Sequence, residues 1–204
     1  MQKAGLVCII AAVLLSSCVG IDSRLAIREN GSGTLSLTYQ VSQLVVNLGN
    51  PVDGKNVVPL PLSRADFERS VASSNGKVRL TRFDRSENQK DVIIRVELAF
   101  DSLDAVARLD AFQSAQIRVS NDGSAHTFSQ LIAKAPSEPI TADSLRMVDA
   151  FFGDYSLSFS IEAPQPITTN SLGTLSSDKR ILTYKTSVGE IVRTKNDIVL
   201  SIGW

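Results

Sequence analysis

The chain has 204 residues, with 21 Lys and Arg against 21 Asp and Glu, two cysteines and one histidine. That length builds one sizeable core or at most two small ones. The balanced charge, without a basic block or aromatic residues interleaved with basic ones, excludes an electrostatic nucleic-acid surface.

The chain opens on a basic start, Met1 to Lys3, followed by "AGLVCIIAAVLL" (4–15), which is uninterruptedly apolar or small. Twelve helical residues span roughly 18 Å, short of the roughly 30 Å hydrocarbon core, so a transmembrane helix is a poor reading. The segment reads as the h-region of a secretory signal over 1–17. Small Ser16 and Ser17 lead to Cys18, and Leu15-Ser16-Ser17-Cys18 resembles a bacterial lipobox. In that motif the thiol takes a diacylglycerol, and cleavage frees the amine for a further chain. The other reading is an ordinary signal peptide followed by an incidental cysteine. Two or more chains hold a protein stably at a bilayer where one does so marginally, at about 0.8 kcal/mol per buried CH₂.

On the lipobox reading Cys8 is discarded and Cys18 is acylated. No thiol is then left for a disulfide, a nucleophile or a metal site. Cleavage leaves 187 residues, and the loss of Lys3 leaves a net charge of −1. Val19 follows Cys18 where an acidic retention residue would hold a lipoprotein at the inner membrane, which favours outer-membrane delivery. Localisation is therefore expected at the cell membrane or outer membrane, lipid-anchored, facing the periplasm or the surface. Residues 18–24 are expected to form the lipidated cysteine and a short tether, and 25–204 a single domain.

Antiparallel strand signals then dominate. Asn30-Gly31-Ser32-Gly33 can supply the positive φ angles of a hairpin joining residues around 21–28 to 34–44. "TLSLTYQVS" places Leu35, Leu37, Tyr39 and Val41 on one face. "PVDGKNVVPLPL" (51–62) has the Pro and Gly content of a loop that can move or bind. "SRADFERSVASSNG" carries a capping-box-like Ser63/Asp66 pair and a Leu62/Phe67 staple, and ends at Asn75-Gly76. "KVRLTRF" and "DVIIRVELAF" flank a turn at 86–90, the second aligning Ile94, Val96, Leu98 and Phe100.

"DSLDAVARLDAF" reads as a helix capped by Ser102, burying Leu103, Val106 and Ala107. "SNDGS" (120–124) separates "QIRV" from "AHTFSQLIA". A third helix begins at Thr141 in "TADSLRMVDAFFG" and stops at Gly153. "YSLSFSIEA" alternates Tyr155, Leu157, Phe159, Ile161 and Ala163 with Ser and Glu. "PQPITTNSLGTLSSD" (164–178) reads as a second long loop, and "DIVLSIGW" aligns Ile198, Leu200, Ile202 and Trp204. One polar face per strand and short turns predict an α+β domain: an antiparallel sheet with one face packed by two or three helices.

These features resemble the LppM-like lipoprotein domain family of bacterial exported lipoproteins. The likeness rests on the acyl cysteine followed by Asp22 and a strand into a Gly-rich hairpin, a late strand ending at Pro164, then Asn170 and Trp204. It implies an α+β domain with a groove and an association with membrane lipids or glycolipids. It carries no catalytic residues.

Little in the chain argues for catalysis. His126 is the sole histidine, so a two-His metal site is excluded. A Ser-His-Asp reading of His126 lacks the G-x-S-x-G elbow, and a surface or hydrogen-bonded imidazole is the commoner state on an alternating strand. No cofactor is implied. Of the adjacent Phe151 and Phe152, about 100° apart on a helix, one can face the sheet squarely. The candidate ligand-binding role is that one lines an apolar cavity, with core or rim packing as the alternative. The expected function is a non-enzymatic envelope lipoprotein that binds a lipid or glycolipid in a sheet–helix crevice. The alternative is a lipoprotein that binds an envelope-assembly or host protein through its Ser/Thr-rich sheet face and its two long loops.

Overall fold

A computed structural model describes residues 19–48, 61–122 and 125–204. Cys18 and most of the 51–62 loop lie outside the described residues. In chain order the strands are β1 (Val19–Ile27), β2 (Gly33–Ser42), β3 (Val78–Glu87), β4 (Asp91–Phe100), β5 (Arg118–Asp122) and β6 (Ala125–Ala133). They continue with β7 (Ser156–Glu162), β8 (Thr169–Asn170), β9 (Thr174–Leu175), β10 (Ile181–Ser187) and β11 (Ile198–Gly203). The helices are α1 (Gln43–Leu48), α2 (Arg64–Ala72), α3 (Leu103–Ala107), a 3₁₀ helix (Asp110–Ala115), α4 (Ala142–Phe152) and α5 (Val188–Arg193).

The strands form two sheets rather than the single one expected. Seven strands run in the order β3-β4-β2-β1-β7-β10-β9, and four in the order β5-β6-β11-β8. All pairings are antiparallel except β1 with β7, where Ile21 lies beside Leu157 and Leu25 beside Ile161. The architecture is mixed α+β, and the inner face of the large sheet is covered by helices and by the small sheet together.

The expected tether gives way to strand. β1 begins at Val19 and is paired on both sides, to β2 and to β7. Inward-facing Ser23 is buried, and such a doubly paired central strand has no freedom to act as a tether. The loop at 164–178 is also tied down: β8 pairs with β11 and β9 with β10. Ser171 Oγ further donates to Val199 O at 2.9 Å.

The β1–β2 hairpin forms as expected. Gly31 sits at φ 79°, and Ser32 N–H and Oγ–H both donate to Asn30 Oδ1, at 3.1 and 2.7 Å. Gly33 allows a close approach, because a Cβ there would meet Ala26 O at 2.0 Å. The inward residues read from alternation enter one core: Tyr39, Val41, Ile94, Leu98, Phe159 and Ile161 are all buried.

Helix starts follow the caps. Ser63 Oγ accepts from Asp66 N–H at 3.2 Å, Ser102 Oγ from Ala105 N–H at 3.3 Å, and Thr141 Oγ1 from Ser144 N–H at 3.2 Å. On α3 the buried set is Leu103, Ala105 and Val106, with Ala107 half-exposed. The short α3 ends at Arg108 and the chain re-coils as the 3₁₀ helix, so the expected longer helix is divided in two.

Candidate functional site

The inner face of the large sheet leaves space unfilled. Ile21 and Leu37 hold inward positions on β1 and β2 yet are only half-buried, while Leu25, Leu35 and Val41 beside them are buried. Over them lies a cavity of about 740 Å³.

One cross-strand row accounts for it. The register sets Val96, Leu37, Ser23, Phe159 and Tyr184 side by side across β4, β2, β1, β7 and β10. Ser23 is the smallest residue of that row and sits in its middle. Close-packed interiors leave little room between facing layers, so a serine where neighbouring rows carry Leu or Ile opens a hollow. Facing this floor are Phe67 of α2, Val106 of α3, Phe112 of the 3₁₀ helix, Phe128 of β6 and Ile191 of α5.

The mouth is polar. Ser114, Gln116, Lys134 and Ser137 line it and are exposed. Among the described lining residues Lys134 is the one charged group. The site therefore has an apolar interior and a polar rim with a single cation.

Tyr39, at the edge of the floor, is fixed by its hydroxyl, which donates to the backbone carbonyl of Pro61. Burial, and next the nearby Asp66 carboxylate, push its pKa well above the ordinary tyrosine value. Tyr39 thus stays a neutral hydrogen-bond donor at any physiological pH.

The α5 wall is held by a reciprocal cap. Ser187 Oγ accepts from Glu190 N–H at 3.2 Å, and Glu190 Oε2 accepts from Ser187 N–H at 2.8 Å. The Ser187/Glu190 spacing is a capping-box signature that would have revealed this helix in the sequence.

The Phe151–Phe152 pair splits. Phe152 is buried and tilts against Tyr155, with ring centroids 6.4 Å apart. Phe151 is 58% exposed. Neither is among the residues lining the cavity. The helical offset turns one ring to the core and the other to the outside, and α4 lies beside α5 rather than over the cavity floor.

His126 is half-buried on β6, its ring stacked on Trp204 at 5.7 Å with 14° between planes. Its Nδ1 lies 2.5 Å from Asn121 Oδ1. His126 and Trp204 also exchange both backbone hydrogen bonds, each 3.0 Å. Asn170 pairs with Ile202 on β11, which places this residue and Trp204 on the small sheet. Among the described residues no three His, Cys, Asp or Glu side chains gather as a metal site. No described helix is long and apolar enough to cross a membrane.

No family model matches the chain, and no curated protein matches it. Among solved structures it is similar to the folded domain of the Mycobacterium tuberculosis LppM protein, determined by NMR. That likeness has a TM-score of 0.49 and 12% sequence identity, and covers 92% of this chain and 90% of that one.

Proposed function

We propose that this chain is a non-enzymatic bacterial envelope lipoprotein, held by acyl chains on Cys18, that takes a lipid or glycolipid into the cavity over Ser23. The cavity supports this reading most directly. Its volume of about 740 Å³ lies within the roughly 300–1,000 Å³ of ligand pockets, which are largely apolar with a few placed polar groups. An amphiphile matches that division. Its hydrocarbon would lie over Ile21, Leu37 and Phe159, and its head would remain at the mouth among Gln116, Lys134 and Ser137. Lys134 favours an anionic or hydroxyl-rich head.

The anchor is supported by the basic start, the apolar run and the Leu15-Ser16-Ser17-Cys18 sequence. The short path from Cys18 to the first strand residue, Val19, would keep the domain close to the membrane. The test is native mass spectrometry of the full-length chain extracted from a lipoprotein-processing bacterial host. The expected spectrum contains a non-covalent amphiphile above the mass of the acylated chain. A chain that arrives empty, and extracts no lipid from mixed vesicles, would sink the reading.

A further inference from the structure

Helix α4 carries a second apolar face that points away from the core. Val148 and Phe152 are buried, while Met147 and Phe151, four residues apart and therefore on one side of the helix, are 51% and 58% exposed. These are two of the largest apolar side chains the described surface presents, and exposed apolar patches mark interaction sites.

Their position in the fold indicates what covers them. The Phe151 ring tilts against Phe152 at 6.2 Å, and Phe152 against Tyr155 at 6.4 Å. Tyr155 in turn lies against β1, where a Cβ on Gly20 would meet its Cδ1 at 3.3 Å. The exposed ring is thus linked through two aromatic contacts to Gly20. Cys18 is only two residues earlier in the chain, at most about 7 Å of backbone away.

The charges on α4 and just beyond its end are paired. Asp149 binds Arg193 at 2.6 Å, Asp154 binds Lys90 at 3.1 Å, and Asp143 binds Arg146. Such a surface offers little net field to attract anionic lipid, and leaves apolar insertion as the source of affinity.

We propose that Met147 and Phe151 form a membrane-docking patch that seats the domain on the same bilayer that holds the acylated Cys18. The acyl chains tether the protein, and the two side chains enter the boundary between headgroups and chains, as one face of an interfacial helix does. This orientation rests on the reading of Cys18 as acylated, and adds to it a defined lower surface.

The test uses the full-length chain from a lipoprotein-processing host, reconstituted into phosphatidylcholine vesicles with or without brominated acyl chains. The reporter substitutions F151W and M147W, with I181W as control, are each made together with Trp204→Phe. Ile181 is at the far end of β10, paired with Glu162, whereas Ser187 pairs with Ser156 at the docking end. Six strand residues separate the two ends by roughly 20 Å.

The expected result is blue-shifted emission for F151W and M147W that loses more than half its intensity to the brominated chains, with I181W unaffected. The quenching should persist in about 1 M salt, where the Debye length is roughly 3 Å. An unquenched F151W, quenching abolished by salt, or a blue shift that grows with protein concentration in lipid-free detergent would each overturn the docking patch. Intact mass of the same samples separates the two readings. An acylated but unquenched protein refutes docking and leaves the anchor standing, and a bare Cys18 with a quenched F151W refutes the anchor alone.

Discussion

The Tyr155 hydroxyl donates a hydrogen bond to the Asp91 carboxylate in the interior, joining the first residue of β4 to the residue just before β7 across 64 positions of sequence. Both residues are buried. Above them Lys90 Nζ lies 5.4 Å from the centre of the Tyr155 ring and pairs with Asp154. A hydrogen bond to a charged group contributes about 1.5–3 kcal/mol, and a buried acceptor that loses its donor carries the full desolvation penalty. Tyr155→Phe should therefore lower the unfolding free energy by about 1.5–3 kcal/mol in urea denaturation. A double-mutant cycle with Asp91→Asn should return a coupling of about 0.5–3 kcal/mol. Additive single effects would show that the contact is unimportant in solution.

The cavity floor offers a second measurement. Ser23 lies between Leu37 and Phe159 in the cross-strand row, beneath the open space. Ser23→Leu should place apolar atoms in that space without displacing a packed neighbour, so the overpacking cost of about 1–3 kcal/mol seen in filled cores should not appear. The melting temperature is expected to stay level or rise, and the bound amphiphile should vanish from the native mass spectrum. A Ser23→Leu protein that still carries its full complement of lipid would place the ligand elsewhere.

Much of this arrangement was legible in short stretches. The period-2 pattern of "YSLSFSIEA" gave the inward set Leu157, Phe159 and Ile161, and Ser63, Ser102 and Thr141 marked three helix starts, because both signals are local. What the pattern could not carry was pairing at a distance. Nothing within "VGIDSRLAI" states that it lies parallel to a strand more than a hundred residues later, and its inward series Ile21, Ser23, Leu25, Ile27 is interrupted by the one polar residue that shapes the cavity. The strand "AHTFSQLIA" was readable as a strand, but its membership of a second sheet follows from partners on β11 and β5. The stretch at 164–178 reads as a loop because Pro, Gly and Ser report local chain chemistry, while its fastening comes from backbone bonds to β10 and β11. For Phe151 and Phe152 the helical period sets the 100° offset but not which ring faces inward, and that choice depends on how α4 packs.

The two phenylalanines should accordingly differ sharply. Phe152 fills core space against Tyr155, so Phe152→Ala should cost about 3–5 kcal/mol in denaturant unfolding. Phe151→Ala removes an outward ring and should change stability by no more than about 0.5 kcal/mol. Equal losses at the two positions would mean that Phe151 is packed in solution, and would contradict an exposed docking face.

Acid should loosen the α5 wall of the cavity. Glu190 accepts hydrogen bonds from the Ser187 backbone N–H, the Thr186 hydroxyl and the Ser187 hydroxyl, and these in that order hold its carboxyl below the usual glutamate value. A carboxylate whose pKa is lower folded than unfolded stabilises the fold fully above the unfolded value, and that contribution disappears as pH falls through the folded one. The loss should therefore set in near the ordinary Glu pKa of about 4.3 and continue below it, with no change between neutral pH and that point. Glu190→Gln keeps a side-chain acceptor for the cap but cannot ionise. Its thermal midpoint should lie below that of the wild type at neutral pH, and the two curves should converge as the wild-type carboxyl takes up its proton. Because Val188, Ile191 and Val192 of α5 line the cavity, lipid retention should weaken over the same acidic range in the wild type. Melting curves that stay parallel from neutral pH to well below 4 would show that the Glu190 charge contributes nothing to holding this wall.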